Sequence, residues 1–306
     1  MNSEYIPTVS VVIVVRNEVK YIARTVESAL GQDYPSIDIH VQDGASTDGT
    51  VDVLKRYPIK WISEVDRGQD DARNRGYHAT KGEVVIFLPG DDILKPGAIR
   101  ILVNALKDNP GVGFVYGDIE VIDASDKVYA IQRGEEFNLD RIFWRNIVPT
   151  QSVAALRTAL EQVGVHREGI LCADWDLWIR LGAKCRSVYI PKVIAQYRSH
   201  DGSSSLNQAS YMYKSICSVA DTLLADTAIT SRLRYGASRA YAGCYLTAAL
   251  VAVLAREMST AWDLYFKAIR RYPRALLKWR GMSALAGLLM GPTLFWRVRN
   301  RGRGKG

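Results

Sequence analysis

The stretch that decides the fold is Val84-Val85-Ile86-Phe87-Leu88-Pro89-Gly90-Asp91-Asp92. Its five apolar residues are too few for a typical helix and rich in β-branched and aromatic types, which predicts a buried strand. Pro-Gly ends the strand, and Pro96 is predicted to open a helix soon afterwards. Asp91 and Asp92 then lie at the carboxyl end of a central strand, where open α/β sheets bind their ligands. Two adjacent carboxylates there either hold a divalent cation or form a solvated turn that caps the next helix.

Working outward, a strand followed by a helix recurs four times before residue 118. Residues 9–15 are nearly all β-branched, which is typical of a strand buried on both faces. This order predicts an α/β fold with a mainly parallel, Rossmann-like central sheet, right-handed crossovers and flanking helices. The predicted helices of this half span about residues 20–30, 69–79 and 96–107, with another that is capped by Ser46 or Thr47 and runs to about residue 56. Further helices are predicted at 140–146 and 153–163, after a hairpin at 120–131.

Polar side chains follow the predicted strand ends. They are Arg16, Asn17, Asp43, Asp66, Asp91 and Asp92. Because parallel strands end at one edge of a sheet, these side chains are expected to share a cleft. No GxGxxG follows the first strand and no GxxxxGK[ST] occurs, which disfavours a typical dinucleotide fold or a P-loop.

The positive charge is concentrated at the C-terminal end. The chain carries +8 overall, yet eleven basic and no acidic residues follow Asp263, so residues 1–263 carry −3. This distribution does not predict a nucleic-acid-binding domain. From about residue 207 the sequence is helical, and residues 282–296 form an apolar segment too short to span a membrane. Basic residues on both sides predict an interfacial helix on an anionic membrane, with a core helix and a solvated basic tail as the alternative.

The four cysteines, Cys172, Cys185, Cys217 and Cys244, show neither CxxC pairing nor zinc spacing. Together with a polar N-terminus that does not resemble a signal peptide, they favour a reducing compartment. The expected location is the cytoplasm, peripheral on the inner face of the cell membrane.

Motifs in a fixed order along residues 8–205 resemble the family 2 glycosyltransferases, which are inverting GT-A-fold enzymes that use nucleotide-sugar donors. The motifs are Arg16-Asn17-Glu18, Gln32-Asp33-Tyr34-Pro35, Asp43-Gly44-Ala45-Ser46-Thr47-Asp48-Gly49-Thr50, Asp66-Arg67-Gly68, residues 82–92, Asp174-Trp175-Asp176 and Arg198-Ser199-His200. The resemblance implies a catalytic domain over residues 1–205, followed by a helical C-terminal region over 206–306.

The resemblance also implies a role for each matching residue. Asp174 matches the catalytic base, and Asp91, Asp92 and His200 match ligands of Mn²⁺ or Mg²⁺. The residues implied to bind the donor are Val15, Arg16, Asn17, Glu18, Asp43, Asp66, Gly68, Asp91 and Arg198. Two positions depart from the family pattern: Pro89 replaces the first acid of DxD, and Gly44 replaces the second acid of Asp-Asp-Gly-Ser.

The implied reaction moves a sugar from a nucleotide-diphospho-sugar to a hydroxyl of a saccharide or lipid-linked acceptor, as in cell-surface polysaccharide or O-antigen assembly. Such an enzyme would be of hexosyltransferase type. One alternative is a GT-A-fold protein without turnover that acts as a binding or assembly partner. Another is a sugar-phosphate nucleotidyltransferase, for which a Gly-rich phosphate loop is expected where Arg16-Asn17-Glu18 stands.

Overall fold

A computed structural model describes residues 5–200 and 209–301, with side chains described up to residue 291. The chain divides into two compact units. Unit 1 comprises residues 1–137, 147–169 and 173–200, and unit 2 comprises residues 138–146, 170–172 and 201–306. The predicted boundary near residue 205 stays a prediction. The sequence Asp201-Gly202-Ser203-Ser204-Ser205 predicts a polar loop, which lies outside the described residues.

Unit 1 is built on a nine-stranded sheet of order β3-β2-β1-β4-β8-β6-β9-β5, with β7 paired to β6. The strands are β1 (Val9–Val15), β2 (Ile37–Asp43), β3 (Lys60–Ser63), β4 (Val84–Pro89), β5 (Ile93–Leu94), β6 (Val112–Ile122), β7 (Val128–Gln132), β8 (Ala154–Leu156) and β9 (Arg186–Arg198). The first four strands pair in parallel, as the strand–helix order predicts. The other side of the sheet is mixed, because β8 runs antiparallel to β4 and β6 while β9 runs parallel to β6.

The register brings the carboxyl ends of the parallel strands level with one another. Val15 pairs with Asp43, Asp43 with Ser63, and Val14 with Pro89. Every residue of β1 is buried, which is why its sequence is a continuous apolar run instead of an alternating one. The predicted convergence of polar residues at this edge is therefore a property of the fold.

The helices of unit 1 are α1 (Ile22–Leu30), α2 (Thr50–Leu54), α3 (Gln69–Ala79), α4 (Ala98–Asp108), α6 (Arg157–Val163) and α7 (Ala173–Lys184). A 3₁₀ turn, Thr150–Ser152, precedes β8. The buried faces of α1 and α4 pack on the sheet with the apolar residues of β1 and β4. The helix predicted over residues 69–79 is confirmed.

Three predicted helix starts were wrong, two of them because a tertiary contact outweighed the local pattern and the third because of a glycine in a left-handed conformation. The helix predicted over 153–163 begins only at Arg157, since Ala155 and its neighbours pair with both β4 and β6. The helix predicted to be capped by Ser46 or Thr47 begins at Thr50, because the Ser46 hydroxyl accepts a hydrogen bond from the Asn17 backbone. Pro96 lies before α4, whose first residue follows Gly97 in a left-handed conformation (φ 74°).

Unit 2 is helical. Its helices are α5 (Leu139–Ile142), α8 (Ala209–Leu223), α9 (Thr227–Thr230), α10 (Ala237–Leu254), α11 (Met258–Arg271) and α12 (Trp279–Arg301), with a 3₁₀ turn at Pro273–Leu277. The periodic segments at residues 211–224, 235–256 and 259–271 predict three long helices, and α8, α10 and α11 confirm them. Gly291, with φ 72°, interrupts α12 at the Gly291-Pro292 pair, a dipeptide that predicts a break in the helix.

Among the described residues, one helix is long and apolar enough to cross a membrane: α10, with a mean hydropathy of 1.3. However, 61% of that segment is buried inside the protein, and α10 packs against α8, α11 and α12. Its buried positions are mainly Ala, Leu and Val, with Gly243 closely apposed to the Phe143 carbonyl and the Trp144 ring. These contacts make α10 the core helix of unit 2.

Candidate active site

The turn that carries Asp91 is fastened to the end of β1. The Gly90 backbone N–H donates to the Val14 carbonyl at 2.8 Å, and the Thr25 hydroxyl donates to the Gly90 carbonyl at 2.8 Å. A Cβ at position 90 would lie 2.7 Å from the Val15 Cβ, closer than real Cβ contacts come. Glycine is therefore required for the turn to approach β1. This close approach places Val15, a predicted donor contact, beside Gly90.

A group of metal-ligand type lies beside this turn. The ligand atoms of Glu18, Asp91 and His200 all lie within 4.8 Å of one another, and each residue is partly buried. The His200 Nε2 atom is 3.1 Å from the Asp91 Oδ2 atom. Burial, followed by the Asp91 carboxylate, raises the pKa of Glu18 to about 7. We refer to these three residues as the acid–histidine cluster.

The donor set of this cluster fits a divalent cation. Two carboxylates supply the hard oxygen ligands that Mg²⁺ and Mn²⁺ prefer, and an imidazole is compatible with Mn²⁺. The crowding that raises the pKa of Glu18 is relieved when a cation neutralises the neighbouring carboxylates. The family resemblance implied three metal ligands, and the cluster contains two of them, Asp91 and His200. Its third member is Glu18.

Asp92, the third predicted metal residue, lies outside this cluster. Its side chain is fully buried, and its Oδ1 atom accepts a hydrogen bond from the Arg198 backbone at 2.8 Å. Burial, reinforced by Asp91, raises the pKa of Asp92 well above its usual value. The nearby Gln151 side chain opposes this shift in pKa, and the Asp92 Oδ2 atom is buried without a hydrogen-bond partner. In this position Asp92 ties the turn after β4 to the end of β9.

Arg198, a predicted donor contact, lies inside the protein with 1% of its surface exposed. Its Nε donates to the Asp91 carbonyl and its Nη1 to the Asp123 carbonyl, both at 3.0 Å. The guanidinium also pairs with Asp126 at 2.5 Å and lies 4.6 Å above the centre of the Tyr21 ring. These contacts brace the backbone of Asp91 against the β6–β7 hairpin.

Asp43 organises the loop after β2. Its buried carboxylate accepts hydrogen bonds from the Ser46 backbone at 2.9 Å and from the Ser63 hydroxyl at 2.6 Å. Asn17, in a left-handed conformation (φ 56°), accepts a hydrogen bond from the Thr47 backbone at 2.9 Å. Asp43 and Asn17 thus fix the two loops against each other, and both were predicted as donor contacts.

Gly44, the departure from the family pattern, is explained by Asp66. A Cβ at position 44 would collide with the Asp66 carboxylate and come within 3.3 Å of the Arg16 Cδ atom. The Gly68 backbone N–H holds the other oxygen of Asp66 at 2.9 Å. A side chain from the next strand end therefore fills the space beside Gly44. Arg16 and Asp66 meet there, as the sheet-edge argument predicts.

Asp174 lies in the first turn of α7 and is oriented by a short hydrogen-bond relay. The Thr150 hydroxyl donates to the Asp174 Oδ2 atom at 2.6 Å, and Trp178 Nε1–H donates to the same hydroxyl at 3.3 Å. The side chain of the next residue, Gln151, lies near Asp92 and lowers the pKa of that carboxyl, against the effect of burial. Consecutive residues of the Thr150–Ser152 turn thus contact Asp174 and the acid next to Asp91, which brings the two acidic regions of the sequence together.

A second acid, Asp70, lies near Asp174. It occupies the first turn of α3, is 7% exposed, and pairs with the buried Arg73 at 2.7 Å. Burial raises the pKa of Asp70 to about 6; Arg73 opposes this shift, and the charges of Asp174 and Glu168 add to it. Asp174 therefore has a carboxylate neighbour in addition to its hydroxyl partner.

Sequence reasoning did not single out Thr150, Gln151 and Asp70. It predicted Glu18 as a donor contact, which stays a prediction, and the structure places Glu18 beside Asp91 and His200. Thr150 and Gln151 lie just before the helix predicted over residues 153–163. The residues that they contact, Asp174 and Asp92, are distant in the sequence. The doubled acid Asp70-Asp71 was the only sequence signal available for Asp70. Asp71 caps the Arg67 backbone at 2.9 Å, so only one member of that pair lies near Asp174.

Comparison with known proteins agrees with this architecture. The model of glycosyl transferase family 2 matches residues 10–164, about half of the chain, and the chain belongs to this family. An uncharacterized glycosyltransferase from Nostoc sp. is 29% identical over 224 residues, covering 66% of this chain and 68% of the relative. The chain is therefore a glycosyltransferase by family.

Two solved structures share the fold. One is S. aureus TarS 1–349 in complex with UDP-GlcNAc, with a TM-score of 0.63, 16% identity and 92% of each chain covered. The other is the mannosyltransferase PcManGT from Pyrobaculum calidifontis in complex with GDP-Man and Mn²⁺. Its TM-score is 0.62 at 17% identity, with 97% of this chain and 88% of that chain covered. The sheet of unit 1 and the helices around it have the GT-A fold of these proteins, and the helical C-terminal region follows it as expected.

Proposed function

We propose that the protein transfers a sugar, with inversion, from a nucleotide-diphospho-sugar to a hydroxyl of a saccharide or lipid-linked acceptor. The observation that carries this proposal is the Thr150–Ser152 turn, which connects Asp174 to Asp92 beside the acid–histidine cluster. A site for a charged leaving group and a site for a base are thereby held in one frame. The two structural neighbours are complexes with UDP-GlcNAc and GDP-Man, which supports a nucleotide-sugar donor.

Glu18, Asp91 and His200 would hold the Mn²⁺ or Mg²⁺ ion of this reaction. When bound, the ion acts as a Lewis acid that stabilises negative charge on the donor diphosphate. Asp92 and Arg198 would form the frame of the site in this proposal, because both are buried and bond to the protein through Asp92 Oδ1 and through Arg198 Nε and Nη1. The Asp92 Oδ2 and Arg198 Nη2 atoms are buried without a hydrogen-bond partner. The donor residues at the ends of β1, β2 and β3 lie along the same sheet edge, where a nucleotide would be bound.

Asp174 would take the proton of the acceptor hydroxyl. An alcohol is a poor nucleophile, so a carboxylate that accepts its proton during the attack lowers the barrier. The Thr150 hydroxyl occupies the Oδ2 atom at 2.6 Å, which leaves Oδ1 as the proton acceptor. Attack in one step from the face opposite the leaving group inverts the anomeric carbon, by the logic that describes inverting glycosidases.

The proposed setting is the cytoplasmic face of a membrane, where lipid-linked or growing cell-surface saccharides such as O-antigen are assembled. The support is the run of basic residues after Asp263, which has no balancing acid. A hexosyl donor is proposed because both structural neighbours are complexes with donors of hexose type.

A thermal-shift panel of nucleoside diphosphates tests the binding half of this proposal. A diphosphate at a hundred times its Kd should stabilise the fold by about 2.7 kcal/mol, and this gain should require Mn²⁺ or Mg²⁺. Asp91→Asn should remove the metal-dependent gain, while Glu161→Gln, an exposed acid on α6, should retain it.

The matching nucleotide-sugar should then be consumed in the presence of a saccharide acceptor. A protein that binds the diphosphate with metal and neither hydrolyses nor transfers the sugar would instead be the assembly partner without turnover. Equal stabilisation with and without metal, in both wild type and Asp91→Asn, would contradict the proposed metal site.

A further inference from the structure

The last helix of unit 2 has apolar side chains on two opposite faces. Ala284 and Leu288 face inward and are 0% and 5% exposed. Trp279, Met282 and Leu289 are 79%, 50% and 71% exposed. Positions 279, 282 and 289 recur at intervals of three and seven residues, which places them on one face of the helix. Leu277, two residues before the helix begins, is 81% exposed.

We refer to Leu277, Trp279, Met282 and Leu289 as the apolar stripe. Single exposed hydrophobic residues are normal on protein surfaces, whereas a contiguous group marks an interaction site. The stripe gathers four large side chains within thirteen residues, and one of them is a tryptophan, a residue enriched at membrane interfaces. The helix therefore buries one face in unit 2 and presents a second apolar face outward.

Exposed basic side chains accompany the stripe. Arg270 and Arg271 end α11, and Arg274 and Lys278 lie in the segment that leads to Trp279; all four are exposed. No acidic residue follows Asp263 anywhere in the sequence. Apolar residues beside a purely basic border are the composition of a surface that binds anionic lipid.

We propose that the apolar stripe rests in the interface of an anionic lipid membrane, with Trp279 at headgroup depth and the four basic residues against lipid phosphates. A second copy of the chain fits the same face poorly, because pairing two stripes would bring two sets of uncompensated positive charge together. The inference deepens the proposed membrane location and rests on it, but it does not depend on the role of any residue in unit 1.

Co-sedimentation of the full chain with vesicles tests this surface. Vesicles of phosphatidylcholine with phosphatidylglycerol should retain the protein, and vesicles of phosphatidylcholine alone should retain much less. Replacing Trp279, Met282 and Leu289 by serine should lower partitioning onto anionic vesicles roughly tenfold or more, since the loss of apolar area weakens interfacial binding. Arg274→Glu combined with Lys278→Glu should produce a loss of similar size that grows smaller in high salt.

The matched control replaces Val128, Tyr129 and Ile131 by serine. These are three exposed apolar residues on β7, and this change should leave partitioning unaltered. Brominated lipid should quench Trp279 fluorescence in the wild type, and Trp279→Phe should remove that part of the quenching. Soluble donor turnover should be unchanged in the stripe variant, so a failure of the enzyme proposal and a failure of this one give different results.

Vesicle binding that survives both the serine and the glutamate variants would overturn the proposal. So would a wild-type dimer that dissociates in the stripe variant without any change in vesicle binding, because the stripe would then be covered by a second copy.

Discussion

The two units differ in where they place polar and apolar side chains. Among the described residues, the buried polar or charged side chains lie in unit 1, with the exceptions of Asp140 and Ser215 in unit 2. Unit 2 instead has an interior of small apolar residues and an apolar stripe on its outside. Burying a polar group costs free energy unless it finds a hydrogen-bond partner, so a group of buried polar side chains indicates a candidate active site. Exposed apolar side chains in a group indicate an interaction surface.

The buried polar groups of unit 1 also position one another. Asp176, two residues after Asp174, is fully buried and pairs with Arg180 at 2.7 Å. Arg180 donates in turn to the carbonyls of Val163, Gly164 and Val165. This network fixes the start of α7 against the end of α6. Of the two acids that begin α7, one is bound into the protein and the other, Asp174, lies partly exposed at the site.

The largest expected effect comes from Asp174→Asn, which should separate chemistry in unit 1 from binding in unit 2. An amide cannot take the acceptor proton, so the transfer rate should fall by about 10²–10⁴-fold. The metal-dependent thermal shift with the nucleoside diphosphate should remain, as should vesicle partitioning. Glu161→Gln is the control for loss of an acidic residue. A variant whose transfer rate is unchanged, or whose diphosphate binding is lost in an intact fold, would remove Asp174 from the role of base.

A smaller effect is expected from Thr150→Val, which preserves the shape of the side chain and removes the hydroxyl between Trp178 and Asp174. Losing this hydrogen bond to a charged group should lower kcat roughly tenfold, with little change in the KM for the donor. Thr150→Ser restores the hydroxyl and should recover most of the rate. If Val and Ser behave alike, or if the change falls on KM alone, Thr150 does not orient the base.

The comparison also explains what the sequence could predict. The strands of the parallel half announce themselves by continuous apolar runs, and the register of a parallel sheet then places Asp43, Asp66 and Asp91 at one edge without further information. Asp174, the proposed base, is partly exposed, and its motif alone made it a candidate. The helical segments of unit 2 were predictable from their long periodic segments.

Contacts between distant residues carry no such local signal. Gln151 and Asp92 are far apart in the sequence, and β8 is only three residues long, so neither has a periodicity that could reveal it. The sequence also carries no signal that Glu18, and not Asp92, lies in the acid–histidine cluster with His200. Adjacent carboxylates on an extended turn point in different directions, and only the fold decides that Asp92 is the one buried against β9.

The smallest expected effect concerns stability and His166, a buried ring that packs edge-on against Phe87 at 4.7 Å. Burial, with help from Arg73 and Arg180, holds the pKa of His166 well below 6.5. As the pH falls through 6.5 the unfolded chain binds a proton that the folded chain does not, so the free energy of unfolding should decrease by up to about 1.4 kcal/mol per pH unit. His166→Leu should flatten this slope, whereas His78→Leu, at an exposed histidine on α3, should not. Chemical denaturation between pH 5 and 7 measures both slopes, and equal slopes in wild type and His166→Leu would show that this ring does not contribute to the acid sensitivity of unit 1.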